Sequence, residues 1–276
     1  MFIWVLVMYM KVLDVYTKDN FDELMYGDMK ISVLMNNFFK KFPSSYRKNY
    51  DRNLKTLEIH KVDDMFGDMD NAQYLPGPNL LLFKTCGALP HELMHMASSN
   101  LRKFMNSICR NGIYSVYENA LLEGITEFLA TMATGDKAYA YIFECFCVAM
   151  LSDINNIFEP YFIPNYNKFI SIFPNKRDIY SLMYALDFYH GKMLVIDDDS
   201  SLYDVERIRD SVRSVIDSLI DIELSFNNCM RMRKMYGDKF MDLIADPDID
   251  CLVGDVYPEY MDYAYIEVKK RILRRR

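Results

Sequence analysis

The chain has 276 residues, of which 51% are hydrophobic and 26% are charged, and its formal net charge is -7 at pH 7. A chain of this length and composition can bury a full hydrophobic core, so we expect a globular protein. The negative net charge argues against a general nucleic-acid binder, because such proteins present a surplus of Lys and Arg to the phosphates.

The first ten residues are nearly all apolar, but this run is too short to cross a bilayer. It also lacks the basic start and the small-residue cleavage site of a signal peptide. We expect a buried strand or helix start and a cytoplasmic protein without a membrane span, although a trimmed or misassigned N-terminus could hide a leader. The six cysteines show no disulfide framework spacing, so reduced thiols are expected, with Cys145 and Cys147 packed in an apolar helix.

Apolar patterns predict an N-terminal part that contains strands. Helical spacing of apolar residues predicts an amphipathic helix over 31–42. The alternation around Ile59 predicts a strand with His60 on its outer side. Residues 63–78 are rich in Asp, Gly, Asn and Pro and are expected to form a loop. The apolar run 79–84 then predicts another strand.

A metal-binding pattern follows this strand in the segment Pro90-His91-Glu92-Leu93-Met94-His95. Two histidines four residues apart lie on one face of a helix, which is the spacing of a metal site. At roughly 100° per residue they are about 40° apart, whereas the apolar residues of the helix cluster on the opposite side. A core helix needs that apolar stripe, but it does not need two histidines on the opposite face. The pattern therefore indicates that the histidines face a polar group.

The second motif, Glu123-Gly124-Ile125-Thr126-Glu127, offers the carboxylate that a third metal ligand requires. Its two acids are also about 40° apart on a helix and oppose an apolar stripe. Gly135 is placed to end this helix after Thr134. The residues between the motifs can form two packed antiparallel helices with a turn near Asn111-Gly112. We therefore expect the two motifs to form two walls of one site.

These two motifs resemble those of the gluzincin group of zinc metallopeptidases, which includes thermolysin and the M1 aminopeptidases. The resemblance covers about residues 79–135. It implies a role for each polar residue: zinc ligands His91, His95 and Glu123, general base Glu92, and the acid Glu127, which orients a ligand histidine. The gap between the motifs is longer than in the best-known members, and Leu122 stands where many members carry asparagine.

The resemblance also implies the chemistry of one zinc ion, which activates water for attack on a peptide carbonyl while Glu92 transfers the proton. The oxyanion that develops requires a further donor. His190, Tyr184 and Tyr189 are candidates, although a His or Tyr of this kind is more often a packed core residue. The likeness further suggests that Asn79–Phe83 is an edge strand that could pair with an extended peptide substrate, the alternative being a core strand.

The chain after Gly135 is predicted to be mainly helical. Apolar periodicity predicts helices over 138–157, 179–189 and 205–224. The proline-containing stretch 161–173 is expected to be an irregular connection. No glycine-rich phosphate loop, nucleophile elbow or internal repeat is present in the sequence.

The sequence as a whole predicts an α+β, zincin-like fold. A strand-containing part, residues 1–88, precedes a mainly helical part, residues 89–276, which carries the metal site, and the two form one compact catalytic unit. The function predicted is a zinc metallopeptidase acting on a peptide or protein substrate. One alternative is a zinc-containing regulatory or binding protein that acts through a partner surface, and another is a helical scaffold with accidental motifs.

Overall fold

The structure is a computed structural model that describes residues 11–63, 71–98, 120–136, 138, 140–163, 166–193 and 202–225. All strands within these ranges precede Lys84, and the described residues from Leu89 onward are mainly helical. The predicted class, a small N-terminal sheet followed by helices, is confirmed. The predicted helices between the two motifs lie outside the described residues, as does the apolar run of the first ten residues.

The described residues form two compact units. The first contains those up to Ser98, together with 129–136 and 161–163. The second contains 120–128, those from 138 to 160, and those from Tyr166 to Ser225. None of the helices that the structure describes has the length and apolar character needed to cross a membrane.

The first unit is built on a four-stranded sheet. In chain order the strands of this unit are β1 (Val12–Tyr16), β2 (Met25–Tyr26), β3 (Met29–Lys30), β4 (Glu58–Val62), β5 (Ala72–Leu75) and β6 (Leu80–Phe83). The order across the sheet is β1-β4-β6-β5, and β2 and β3 form a separate hairpin. β4 and β6 are parallel, whereas β1 and β5 each run antiparallel to their neighbour.

The strand before the first motif is a core strand. β6 lies between β4 and β5, and all of its residues are buried. The expectation that Asn79–Phe83 is an edge strand is therefore wrong. The edge on this side of the described sheet is β5, within the segment 63–78 that was expected to be a loop. Its four residues have little strand signal of their own, and pairing with β6 stabilises them as a strand.

Three helices complete the N-terminal portion: α1 (Ile31–Phe39), α2 (Ser44–Leu54) and α3 (Leu89–Ser98). α1 confirms the helix predicted over 31–42 and ends earlier than predicted. α2 was missed because its sequence is strongly polar and buries only Tyr46 and Tyr50. Tyr50 packs against Phe39 at the end of α1, and Tyr46 packs against Phe42 three residues later, so tertiary contacts stabilise this helix.

Asn79 joins the β5–β6 turn to two helices. Its φ is 56°, a left-handed conformation that asparagine tolerates better than most residues. Its side-chain nitrogen donates to the Asn53 carbonyl at 2.8 Å and to the Thr56 hydroxyl at 2.9 Å, and its oxygen accepts from the Tyr74 hydroxyl at 2.8 Å. Asn53 in turn donates to the Met96 carbonyl of α3 at 2.9 Å. The network fixes the turn relative to α2 and α3.

The remaining helices are α4 (Ala120–Thr134), α5 (Ile142–Ile154), α6 (Phe158–Phe162), α7 (Tyr166–Ser171), α8 (Lys176–Met193) and α9 (Leu202–Ser225). α5, α8 and α9 confirm the three predicted C-terminal helices. α6 and α7 replace the irregular connection expected over 161–173, because Pro160 is accommodated within α6 and Pro174 follows α7. α4 ends at Thr134 as predicted, and Gly135 follows with a φ of 81°.

Replacing Asn79 by alanine is expected to lower the free energy of unfolding by about 3–4 kcal/mol. The change removes hydrogen bonds worth roughly 1 kcal/mol each and adds about 1 kcal/mol of left-handed strain. Asn79→Gly loses the same bonds without the strain, so it should be about 1 kcal/mol more stable than Asn79→Ala. Urea unfolding of the two variants measures this difference, and equal stabilities would contradict the left-handed conformation.

Candidate metal centre

His91 and His95 lie one turn apart on α3, and their rings face each other. The two Nε2 atoms are 3.0 Å apart and the ring centroids are 4.7 Å apart. Every residue of α3 except His91 is buried, and His95 is only 8% exposed. The face opposite the apolar stripe is therefore largely enclosed: the His95 imidazole is buried and the His91 imidazole is partly exposed.

Glu123 completes a group of three potential ligands. One donor atom each from His91, His95 and Glu123 lies within 4.8 Å of the other two. Glu123 is in the first turn of α4 and is partly exposed, as is His91. Two imidazoles and a carboxylate at these separations could hold a metal ion. All three residues were predicted as ligands, the two histidines from their helical spacing and Glu123 from the resemblance to the gluzincins.

Glu92, which follows His91, is bonded to the edge strand. Its Oε2 atom accepts the main-chain N–H of Tyr74 on β5 at 2.6 Å, and both side chains are buried. Burial also raises the pKa of the Tyr74 hydroxyl to about 12. A carboxylate that accepts an N–H over so short a distance forms a strong, charge-assisted hydrogen bond. This contact orients the carboxylate of Glu92, which sequence reasoning did not anticipate.

Gly124 lets α5 approach the backbone of α4 closely. A Cβ atom at this position would lie 2.7 Å from the backbone carbonyl carbon of Glu144. The thiol of Cys145 also donates to the Gly124 carbonyl, with a sulfur–oxygen distance of 3.7 Å. The glycine of the second motif is therefore required by packing immediately beside Glu123.

Glu127 lies one turn after Glu123 and is buried. Its negative charge adds to burial in raising the pKa of the Cys145 thiol well above its ordinary value. Cys147 is likewise a buried thiol whose pKa is raised by burial, whereas Cys86, in the turn before α3, is partly exposed. The predicted packing of Cys145 and Cys147 in an apolar helix is confirmed. The role of Glu127 toward a ligand histidine stays a prediction.

The second unit contains a buried acid–histidine pair, of which the sequence analysis had singled out only the histidine. The Nδ1 atom of His190 lies 2.7 Å from Oε1 of Glu144, and the two residues are 7% and 3% exposed. The His190 ring stacks on Tyr141 with centroids 5.4 Å apart. Glu144 was missed, although the sequence held a signal: it is an acid within the apolar run of α5, and a buried acid needs a partner.

This pair borders the start of α4. Asp187 lies one turn before His190 on α8 and accepts the N–H of Ala120 at 2.8 Å, which caps the first turn of α4. Glu144 contacts Gly124 on the next turn. Two neighbouring helices of the second unit therefore pack polar groups against the turn where the second motif begins.

The two tyrosine candidates have different surroundings. Tyr189 is buried and its ring packs edge-to-face against Phe143, with centroids 4.7 Å apart. Tyr184 is 51% exposed and lines an open groove formed by α8 and α9. Of the three oxyanion candidates, His190 has the acid partner that fixes the orientation of its ring.

Comparison of the chain with models of protein families, with curated proteins and with solved structures gives no match. The resemblance to the gluzincins therefore rests on the two motifs, and the chemistry has to be argued from the residues themselves.

Replacing His95 by alanine is expected to weaken Zn²⁺ binding by at least about 100-fold, since loss of even an outer partner of a metal ligand costs 10–100-fold. Titration calorimetry on metal-free protein measures the affinity and the stoichiometry. His60→Ala is the matched control, because His60 lies on β4 outside the group, and it should leave the affinity unchanged. Equal Zn²⁺ affinities of the His95→Ala variant and the unmodified protein would contradict the metal site.

Replacing Gly124 by alanine is expected to lower the free energy of unfolding by about 1–3 kcal/mol, because the new methyl group overlaps the backbone of Glu144. Gly87→Ala is the control, since a Cβ there meets no atom within 4 Å. It should change stability by less than about 0.5 kcal/mol. Thermal or urea unfolding distinguishes the two, and a neutral Gly124→Ala would contradict the close approach of α4 and α5.

Proposed function

We propose that the chain is a zinc-dependent metallopeptidase that hydrolyses peptide bonds. The observation that carries the proposal is the convergence of His91, His95 and Glu123, with the acid Glu92 next to the first ligand but outside the ligand group. Two histidines, one carboxylate and a neighbouring carboxylate form the set of groups that metal-assisted hydrolysis requires.

The spacing of the two histidines fits zinc. Bonds of about 2.0–2.1 Å in a tetrahedral site separate the ligand atoms by about 3.3 Å. The histidine nitrogens are 3.0 Å apart, close to this value. Three protein ligands leave one position of the tetrahedron for water or substrate, which is the arrangement of catalytic rather than structural zinc.

Zinc, when bound, supplies Lewis-acid activation of water and of the peptide carbonyl. Glu92 takes the proton of the attacking water and delivers it to the leaving amine. The burial of Glu92 limits the access of competing water to its carboxylate. Glu127 is proposed to accept the remaining N–H of a ligand histidine and so fix its tautomer.

The edge strand supports a peptide as the substrate. β5 packs against α3, and the main-chain N–H of Tyr74 points to its outer edge, where it reaches Glu92. An extended peptide can add to such an edge through main-chain hydrogen bonds, which are largely independent of sequence. The substrate-pairing role that the sequence assigned to Asn79–Phe83 is therefore proposed for β5.

We propose His190 as the donor to the developing oxyanion. The Glu144 carboxylate, 2.7 Å from Nδ1 of His190, holds the ring in one orientation, and the N–H of an imidazole can donate to an oxyanion. The alternative function, a zinc-containing regulatory or binding protein, requires the same three ligands but no role for Glu92.

The decisive variant is Glu92→Gln, which keeps the shape of the side chain and can still accept the Tyr74 N–H. We expect hydrolysis of fluorescein-labelled casein by the zinc-loaded protein to fall by about 10²–10⁴-fold, as for loss of a general base.

Zinc stoichiometry should stay unchanged, because Glu92 is not a ligand. Glu58→Gln, on the exposed side of β4, is the matched control and should retain full activity. Casein hydrolysis that survives Glu92→Gln would exclude the peptidase mechanism, and a cellular function that survives it would favour the regulatory alternative.

A further inference from the structure

The hydrogen bond between Glu92 and Tyr74 occupies a main-chain donor that strand addition needs. Lys84 donates to the carbonyl of Asn71 at 2.8 Å, so the main-chain groups of Asn71 face β6. Since these groups alternate along a strand, those of Ala72 and Tyr74 face the outer edge of β5. Glu92 therefore bonds to one of the groups that an incoming strand would use.

An extended peptide on β5 would compete with Glu92. A peptide carbonyl opposite Tyr74 needs the same N–H that the carboxylate accepts at 2.6 Å. One N–H cannot serve both acceptors at full strength, so pairing of the peptide displaces the carboxylate. The group displaced is the one that the proposed mechanism uses as its base.

The strand is the fixed partner in this exchange. The Tyr74 hydroxyl is bonded to Asn79, Asn79 is bonded to Asn53, and Asn53 is bonded to the Met96 carbonyl of α3. β5 and α3 are therefore tied together through side chains independent of Glu92. Rotation of the Glu92 side chain between staggered conformations is easier than movement of the strand.

We propose that this bond is a latch that an extended substrate opens. In the free protein the Tyr74 N–H holds the Glu92 carboxylate, and a peptide that pairs with β5 takes the N–H and releases the carboxylate to act as base. The proposal rests on the proposed peptidase function. It makes substrate length a determinant of turnover, because a peptide too short to reach Tyr74 leaves the latch closed.

The first test observes the latch without activity. The full chain is labelled with ¹⁵N-tyrosine, and the Tyr74 amide is assigned by its disappearance in Tyr74→Phe. In metal-free protein, Glu92→Ala should move the Tyr74 amide proton upfield, because a charge-assisted hydrogen bond is lost. The control Glu58→Ala should leave the signal in place.

The same sample tests the exchange with substrate. Addition of tryptic casein peptides to the metal-free protein, which cannot cleave them, should shift the Tyr74 amide signal. A Tyr74 signal that is unaffected by Glu92→Ala, or by the peptides, would overturn the latch whether or not the protein is a peptidase.

The second test uses the zinc-loaded chain and compares Tyr74→Ala with Tyr74→Pro. Both variants lose the phenol ring, but only proline lacks the N–H, and proline is tolerated on an edge strand at an outward-facing position. The substrates are an octapeptide from a casein cleavage site and the capped dipeptide at its centre.

In Tyr74→Ala the octapeptide should have a kcat at least about tenfold above that of the dipeptide, the effect of one hydrogen bond to a charged group. In Tyr74→Pro the ratio of the octapeptide kcat to the dipeptide kcat should approach one. The kcat of the dipeptide rises because no N–H holds Glu92 in this variant. A Tyr74→Pro variant in which both kcat values fall equally would show that the N–H positions Glu92 and does not restrain it.

If neither the Tyr74 variants nor the unmodified protein cleaves these peptides, the proposed peptidase function is overturned. The amide measurement then decides by itself whether the latch exists. If Tyr74→Pro does not fold, the amide measurement on Glu92→Ala likewise decides.

Discussion

The constraint on which the site depends is the burial of a helix that carries three polar side chains. α3 is enclosed on nearly all sides, so the buried Glu92 and His95 cannot rely on bulk water as a partner, and only His91 is partly exposed. The histidines face each other at 3.0 Å, and the carboxylate accepts a main-chain N–H. Each of these contacts gives its side chain a defined direction in the free protein, and for the histidines that direction is one that metal coordination requires.

The sheet serves this helix in two ways. Its core strand β6 supplies buried apolar surface, and its edge strand β5 supplies the N–H that orients Glu92. Asn79 connects the two strands in a left-handed conformation and extends hydrogen bonds to α2. The small sheet is therefore a mechanical support for the first motif as well as a part of the core. In the second unit, Gly124 and Asp187 support the second motif, because they set how closely α5 and α8 pack against α4.

The sequence was informative wherever the spacing of apolar and polar residues within one segment decided the structure. Helical phase identified the two motifs and their helices, and the left-handed glycine at 135 marked the end of α4. Prediction from the sequence failed for elements that are stabilised by residues distant in the chain. α2 depends on aromatic residues elsewhere in the chain, β5 depends on β6, and the Glu144–His190 pair joins residues of two helices. The bond between Tyr74 and Glu92 was also beyond reach, because a main-chain donor carries no residue-specific signal.

The distribution of thiols in the described residues has a practical consequence. Thiolate is the reactive form of cysteine, and burial in α5 keeps the thiols of Cys145 and Cys147 protonated and inaccessible. Cys86 differs, because it is partly exposed and lies in the short turn that leads into α3. Within the part of the chain described by the structure, alkylating reagents should therefore select Cys86. A spectroscopic label attached there would sit a few residues from His91 and could report movement of α3 without altering any residue assigned to the site.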